Sequence, residues 1–231
     1  IRTIVPKLLT VTYPADGEEE VAPDFTAKWY NVNSTNEATV EIASDEAFEK
    51  ILYTGKSATG ELAIPDSKLE SGITCYMRVR LTVDGQEMVS LPVHFTIVHL
   101  AAHLLRPTEG GEIYMGEYVE VKPQSWATSY QIEISTSATT WGRTRFVETL
   151  KDGATRTSLT ADNIKVNSKK MENGKTYYAR VKTAYEGLDG AAHTTEWGPV
   201  VKFVYRTEKP VSGDINGDGE VNATDATALI N

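Results

Sequence analysis

Apolar and polar residues alternate with a period of two over long stretches of the chain, most clearly in two segments. A period of two predicts half-buried β-strands, because successive side chains of a strand point to opposite faces of its sheet. In the first segment the apolar parity is Cys75, Met77, Val79 and Leu81, and the other parity is Tyr76, Arg78, Arg80 and Thr82. In the second, Tyr177, Ala179 and Val181 alternate with Tyr178, Arg180 and Lys182.

Turn-forming dipeptides separate the alternating segments, as at Asp84-Gly85, Asp152-Gly153 and Asn173-Gly174. Aspartate and asparagine followed by glycine are typical of tight turns between antiparallel strands. Helical periodicity is almost absent before the last twenty or so residues, so the pattern predicts an all-β fold built from antiparallel sheets.

The pattern also repeats. The run Pro14–Gly17 returns as Pro107–Gly110, and Gly72–Arg80 returns as Gly174–Lys182. The order of the repeated segments is kept while their spacing grows, as expected for a duplicated module of about 100 residues whose second copy has longer loops. Short strands at this spacing predict two tandem β-sandwiches.

Residues 8–205 resemble tandem fibronectin type III modules in a divergent bacterial form. Trp29 stands where this family places a core tryptophan, and Tyr76 and Tyr178 occupy the tyrosine position of its penultimate long strand. Glu196 to Pro199 resembles the turn into its last strand. The second copy lacks a tryptophan in its second strand, and we expect Trp126 to fill that core space from a loop. The resemblance implies spacing, display and binding rather than catalysis.

The predicted organisation has four parts. Residues 1–98 form the first immunoglobulin- or fibronectin III-like sandwich and residues 99–206 the second. Residues 207–213 contain Pro210 and Gly213 and are predicted to be a linker, in which we expect relative motion. Residues 214–231 form a separate C-terminal segment. The chain begins at Ile1 rather than at methionine, and we interpret it as a processed or trimmed piece of something longer.

The C-terminal segment places oxygen-bearing side chains at positions 1, 3, 5, 9 and 12 of a twelve-residue loop, with Gly219 at position 6. That spacing is typical of an EF-hand-type calcium loop, in which six to eight oxygens surround the ion and glycine allows the sharp turn. The predicted ligands of one Ca²⁺ are Asp214, Asn216, Asp218, the carbonyl of Glu220, Asn222 directly or through water, and Asp225.

Two features distinguish this loop from an ordinary EF-hand: position 12 is aspartate, and no helix pattern precedes the loop. Residues 213–231 resemble the first half of a type I dockerin, a calcium-dependent module that docks proteins into cohesin domains. The resemblance implies a cohesin-like partner and a bacterial protein that is secreted or displayed at the cell surface. The family normally carries two such repeats, whereas one occurs here.

Composition limits the classes of partner that the chain can bind. The chain has 231 residues. Its net charge of −9 disfavours binding to nucleic acid and to anionic membrane surfaces. No apolar run approaches the roughly 20 residues that span a bilayer. Cys75 is the only cysteine, and its alternating surroundings predict a small buried hydrophobe.

Few residues of the sequence have a spacing typical of a catalytic or metal site. His99 and His103 have metal-ligand spacing for a helix, but no third ligand lies nearby and a linker or strand-edge role is favoured. No nucleophile with a base at recognisable spacing is present, so we predict a non-catalytic chain, with any catalytic domain upstream.

Trp141, Tyr185 and Trp197 could form a sugar-stacking platform. The alternative function is therefore that of carbohydrate-binding modules that target an attached glycan-degrading enzyme. Packing within the sandwich is favoured, with Trp197 over an arginine such as Arg180.

Overall fold

The computed structural model describes residues 9–30, 36–65, 68–142, 146–159, 165–166, 169–209 and 221. Their regular structure consists of β-strands, and the strands form two sandwiches along the chain. The all-β fold with two sandwiches that the alternation predicts is therefore confirmed. The predicted calcium loop and helix lie outside the described residues, apart from Val221.

Nine of the described strands form the first sandwich. They are β1 (Thr10–Tyr13), β2 (Glu18–Val21), β3 (Thr26–Tyr30), β4 (Ala38–Ala43), β5 (Ile51–Ser57), β6 (Glu61–Ala63), β7 (Thr74–Val83), β8 (Gln86–Val89) and β9 (Val93–Ile97). One sheet has the order β1-β3-β6, and the other has the order β2-β9-β7-β4-β5 with β8 paired to β7.

The core of the first sandwich lies between these two sheets. Both sheets supply fully buried side chains to it, among them Trp29 from β3, Ile42 from β4, Val79 from β7 and Phe95 from β9. The apolar parity of β7, from Cys75 to Leu81, is buried along its whole length. The predicted burial of Cys75 is confirmed. Burial raises the pKa of its thiol to about 12, so the sulfur stays protonated and unreactive at neutral pH.

Eleven further strands belong to the second half of the chain. They are β10 (Leu104–Arg106), β11 (Gly111–Tyr114), β12 (Tyr118–Val121), β13 (Ser129–Ser135), β14 (Phe146–Lys151), β15 (Arg156–Ser158), β16 (Lys165–Val166), β17 (Lys169–Lys170), β18 (Thr176–Glu186), β19 (Ala192–Thr194) and β20 (Val201–Arg206). The sheets have the orders β10-β12-β15 and β11-β20-β18-β13-β14, with β19 paired to β18, and β16 and β17 form a separate hairpin.

The two strand orders are the same once the hairpin β16–β17 is set aside. β1, β3 and β6 correspond to β10, β12 and β15, and β2-β9-β7-β4-β5 corresponds to β11-β20-β18-β13-β14. In both copies a cis X-Pro bond follows the first strand, at Tyr13-Pro14 and at Arg106-Pro107. The repeat seen in the sequence is therefore a repeat of topology.

The turns explain why the second copy is longer. Asp84 and Gly85 both have positive φ and join β7 to β8 as a two-residue turn, as the sequence predicts. The corresponding connection in the second copy, between Glu186 and Ala192, is five residues long. The two copies therefore differ in the length of this loop, while the strands on either side of it pair antiparallel in both.

Contacts between Cα atoms divide the chain into two compact units. The first contains Ile1–Ala101, Gln124–Thr128 and Thr183–Glu196, and the second contains Ala102–Pro123, Ser129–Lys182 and Trp197–Asn231. The predicted boundary at residues 98 and 99 stays a prediction. No helix with the length and apolarity needed to cross a bilayer occurs in the part of the chain that the structure describes.

We predict that Phe95→Ala destabilises the first sandwich by about 3–5 kcal/mol, because it leaves a cavity in the core. The Phe95 side chain is 1% exposed and its ring lies 5.4 Å from that of Phe25. Leu91→Ala is the control, since Leu91 is 86% exposed, and should change stability by less than about 0.5 kcal/mol. Urea unfolding measures both, and equal losses in the two variants would contradict this core.

Candidate functional site

The six predicted calcium ligands lie outside the described residues: Asp214, Asn216, Asp218, Glu220, Asn222 and Asp225. Their coordination therefore stays a prediction. The chemistry of the donor set fits calcium, because every predicted ligand would bind through a carboxylate, amide or backbone oxygen and the set contains no imidazole or thiolate. Val221, inside the loop, is 58% exposed.

The last described residues before this loop are held on the second sandwich. Arg206, at the end of β20, donates from Nε to Glu112 Oε1 at 2.8 Å. The backbone N–H of Thr207 donates to Asn173 Oδ1 at 3.1 Å. Lys209 Nζ lies 3.4 Å from Glu117 Oε1. Two of the first three residues of the predicted linker, Thr207 and Lys209, thus have partners on the second sandwich.

Both anchoring carboxylates are held in the charged state. A hydrogen bond from the Tyr114 hydroxyl, and then one from Arg206, lowers the pKa of Glu112. The backbone N–H of Tyr114, and then Lys209, lowers the pKa of Glu117. Glu112 and Glu117 therefore remain charged acceptors for Arg206 and Lys209 at lower pH than ordinary glutamates would.

A buried carboxylate lies on the large sheet of the second sandwich. Glu133 on β13 is 1% exposed and accepts from Nε and a terminal nitrogen of Arg180 on β18, at 2.9 and 2.6 Å. The guanidinium carbon of Arg180 lies 4.0 Å from the ring centroids of both Trp141 and Trp197. The predicted packing of Trp197 over Arg180 is confirmed. The buried charge is stabilised by a paired, stacked cation.

The first sandwich carries a related arrangement with one aromatic ring, in which Glu41 also accepts from Arg80 at 3.3 Å. Arg78 on β7 donates to Glu41 on β4 at 2.7 Å, and its guanidinium carbon lies 4.0 Å from the ring centroid of Phe48. Glu41 and Arg78 are direct cross-strand partners. Neither glutamate was among the residues predicted from the sequence to have a function. The available signal was their shared place in the repeated Glu-Ile segments of β4 and β13, opposite the repeated Arg-Val segments.

The three aromatics of the proposed sugar platform are therefore engaged within the protein. Trp141 and Trp197 each have a ring face directed at Arg180. Tyr185 belongs to a different cluster, in which the imidazoles of His99 and His193 stack on its ring at centroid distances of 4.0 and 5.5 Å. Each of the three rings thus has a packing partner within its own compact unit.

The expectation that Trp126 fills the core space of Trp29 in the second copy is wrong. The β3 position of Trp29 corresponds to Val121 on β12, which is fully buried. Trp126 is instead half-buried and makes edge contacts with His99 and Tyr185, at centroid distances of 4.6 and 5.7 Å. The valine is smaller than the indole, and the second core closes around it without the loop.

The described histidines do not form one group: His99 and His193 stack on Tyr185, whereas His94 pairs with Asp16. His99 lies in this aromatic cluster, and the backbone carbonyl of His103 accepts from the N–H of Lys122. His94 Nδ1 lies 2.6 Å from Asp16 Oδ1, an oxygen that also accepts from the His94 backbone. Within the described ranges, no group of three or more histidine, cysteine or acidic residues is arranged to hold a metal.

Comparison with known proteins bears on the C-terminal end of the chain. Residues 212–231 match the family model described as the Dockerin type I domain. No curated protein matches the chain. Among solved structures, the chain is similar to the FN1–FN3 domains of chicken CNTN1, at 11% identity over 87% of this chain and 67% of that chain, with a TM-score of 0.31. At that TM-score the likeness supports no conclusion about this protein.

We predict that Glu133→Gln lowers the free energy of unfolding of the second sandwich by about 3–5 kcal/mol, because it leaves the Arg180 cation without its buried partner. Glu41→Gln is the comparison at the corresponding, more exposed site, where Arg78 and Arg80 are the partners. The Glu41 side chain is 14% exposed and that of Arg78 is 27% exposed, so solvent replaces part of the lost interaction and the effect is smaller. Urea unfolding compares the two variants. If Glu41→Gln lowered the free energy of unfolding as much as Glu133→Gln, burial of the carboxylate would not explain the size of the effect.

Proposed function

We propose that this chain is a non-catalytic portion of a secreted or cell-surface multidomain bacterial protein. In this proposal two fibronectin type III-like sandwiches act as spacer or interaction modules and carry a calcium-dependent dockerin segment for docking to a cohesin-type domain. The observation that carries the proposal is the dockerin match at residues 212–231, which falls on the segment whose oxygen spacing suits calcium.

Calcium supplies the fold of the docking segment in this proposal. The side chains of Asp214, Asn216, Asp218 and Asp225 and the carbonyl of Glu220 hold the ion, with Asn222 directly or through water. The segment carries four carboxylates and no lysine or arginine after Lys209. These negative charges repel one another until the ion binds, so formation of the segment is linked to calcium.

The structure favours the spacer function over the carbohydrate-binding alternative. A sugar-stacking face needs exposed rings that lie side by side, and single aromatics rarely make such a face. Trp141 and Trp197 stack on Arg180, and Tyr185 stacks on two imidazoles. These contacts give all three rings a role in packing. Polysaccharide stays a secondary candidate partner.

We predict that isothermal titration shows one calcium site, lost in Asp214→Ala or Asp218→Ala. Mg²⁺ competes poorly, since it requires a tighter octahedron and gives up its water reluctantly. Glu46→Ala removes one exposed carboxylate from the first sandwich and serves as the charge-matched control, with unchanged calcium binding. Calcium binding that survives in both aspartate variants would place the ion elsewhere and overturn the dockerin assignment.

We predict no turnover of glycoside, peptide or ester substrates by the purified chain. The reason is the lack of any nucleophile, base and orienting group at recognisable spacing. Chromogenic and fluorogenic substrate panels measure this against buffer alone. Turnover that a single carboxylate or histidine substitution abolishes would reveal a catalytic site in this chain.

A further inference from the structure

The outer edge of β8 lies open in the described part of the chain. β8 and β9 both pair with β7, and among the described strands only β9 is covered on its other side, by β2. This coverage begins near Gly17, whose N–H donates to the carbonyl of His94 at 2.7 Å. The sheet edge before that point can accept a further strand, because an uncovered edge presents backbone donors and acceptors.

Glu87 and Val89 supply the backbone groups of this open edge. In an antiparallel pair, residues that bond across the pair alternate with residues whose N–H and C=O point the other way. The N–H of Ser90 donates to the carbonyl of Val79 on β7 at 2.9 Å, and this bond sets the alternation along β8. Glu87 and Val89 have the other parity, so each directs one N–H and one C=O away from β7.

An apolar groove of about 590 Å³ runs beside this edge. Val11 of the opposite sheet and Met88 of β8 line it, and both pack against the core of the first sandwich. Val89 and Leu91 line it as well, and they are 49% and 86% exposed. We call this groove, whose lining also includes Asp16, the edge groove. Its volume is within the range of about 300–1,000 Å³ that is usual for ligand sites.

Asp16 makes one end of the edge groove negative. Among the described residues that line the groove, it is the one with a charged side chain. Its Oδ1 accepts from the backbone N–H of His94 at 3.0 Å and lies 2.6 Å from His94 Nδ1. The backbone hydrogen bond, more than any other contact, lowers the pKa of Asp16. A carboxylate that stays charged at neutral pH favours a lysine or arginine on the molecule that fills the groove.

These features together fit an extended polypeptide. A strand that lies beside β8 pairs its backbone with Glu87 and Val89, and every second side chain of that strand points between the two sheets into the groove. A small apolar ligand would fill the groove but would leave these backbone groups to water. The open edge therefore favours a peptide over a small molecule.

We propose that the edge groove binds an extended segment of a partner protein as an added strand of the first sandwich. The segment carries apolar side chains at alternate positions and a lysine or arginine beside Asp16. This inference goes beyond the proposed docking function, because it concerns the first sandwich and requires no calcium.

Peptides selected on the full chain from a random library displayed on phage provide the probe. We expect the enriched peptides to alternate apolar residues and to include a basic residue. A synthetic copy should bind Leu91→Ser at least about tenfold more weakly than the unsubstituted chain, since a leucine side chain buried on binding contributes that much. The matched control is Val147→Ser on the edge strand β14, which is 40% exposed and should leave the affinity unchanged.

Asp16→Asn tests the charge at the end of the edge groove. Replacing the basic residue of the peptide by glutamine should weaken binding to the unsubstituted chain by about threefold. The same replacement should have no effect on binding to Asp16→Asn. An equal effect on both chains would place the basic residue elsewhere and contradict the proposed orientation.

N-methylation of the peptide tests the strand pairing on the unsubstituted chain, so it does not depend on the folding of a variant. Methyl groups on the alternate residues that bond β8 should weaken binding at least about tenfold, because they remove hydrogen-bond donors and block the approach of the strands. Methyl groups on the intervening residues should have a much smaller effect. Equal effects of the two sets would overturn strand addition.

The remaining outcomes identify other occupants. Equal affinity of the peptide for Leu91→Ser and Val147→Ser, or a library without an enriched peptide, would overturn the inference. Dimers in sedimentation that Leu91→Ser dissociates would make a second copy the occupant, and a gain in affinity on deletion of residues 1–8 would make that segment the occupant; either result would also overturn it. Peptide affinity should be the same in calcium and in chelator, so a failure to bind calcium would overturn the proposed docking function and leave this inference standing.

Discussion

The period of two along one long strand in each copy, β7 and β18, is the constraint on which both sandwiches depend. One side of each strand is buried in its core, and the other side carries the arginine that pairs with a glutamate of the neighbouring strand. A slip of one residue in the pairing would move Arg78 or Arg180 into an apolar core and expose the valines beside them. The register is therefore fixed from both faces at once: hydrophobic burial on one side, and a paired charge with stacked aromatic rings on the other.

Much of the fold could be predicted from local patterns. Alternation identified the strands, Asp84-Gly85 identified a turn, and the repeat of Pro14–Gly17 at Pro107 identified the second copy. These features depend on residues close together in sequence. The pair of Glu133 and Arg180 joins residues 47 positions apart, and it depends on which strands become neighbours. Alternation places both side chains on a polar face but does not say that they meet.

Trp126 shows where a family resemblance misled. The expectation assumed that a core position keeps its volume in both copies, so that a missing indole must be replaced by another. A core is filled by all of its side chains together, and conserving total volume and pattern is enough. Val121 occupies the position with neighbours that close around it, and the tryptophan is left to pack with His99 and Tyr185. The calcium ligands are a different case, because their spacing predicts a site that the described residues do not reach.

In each sandwich, the second strand and the last strand of that copy are neighbours in one sheet and run in the same direction. β2 pairs in parallel with β9, and β11 pairs in parallel with β20. Tension that draws β2 toward its amino end and β9 toward its carboxyl end drags the two past each other, so the hydrogen bonds between them bear the load together in shear. Antiparallel partners pulled from one end would separate one bond at a time. If the proposed C-terminal docking holds, each sandwich should resist stretching along the chain, because a docked tail would transmit force in that direction.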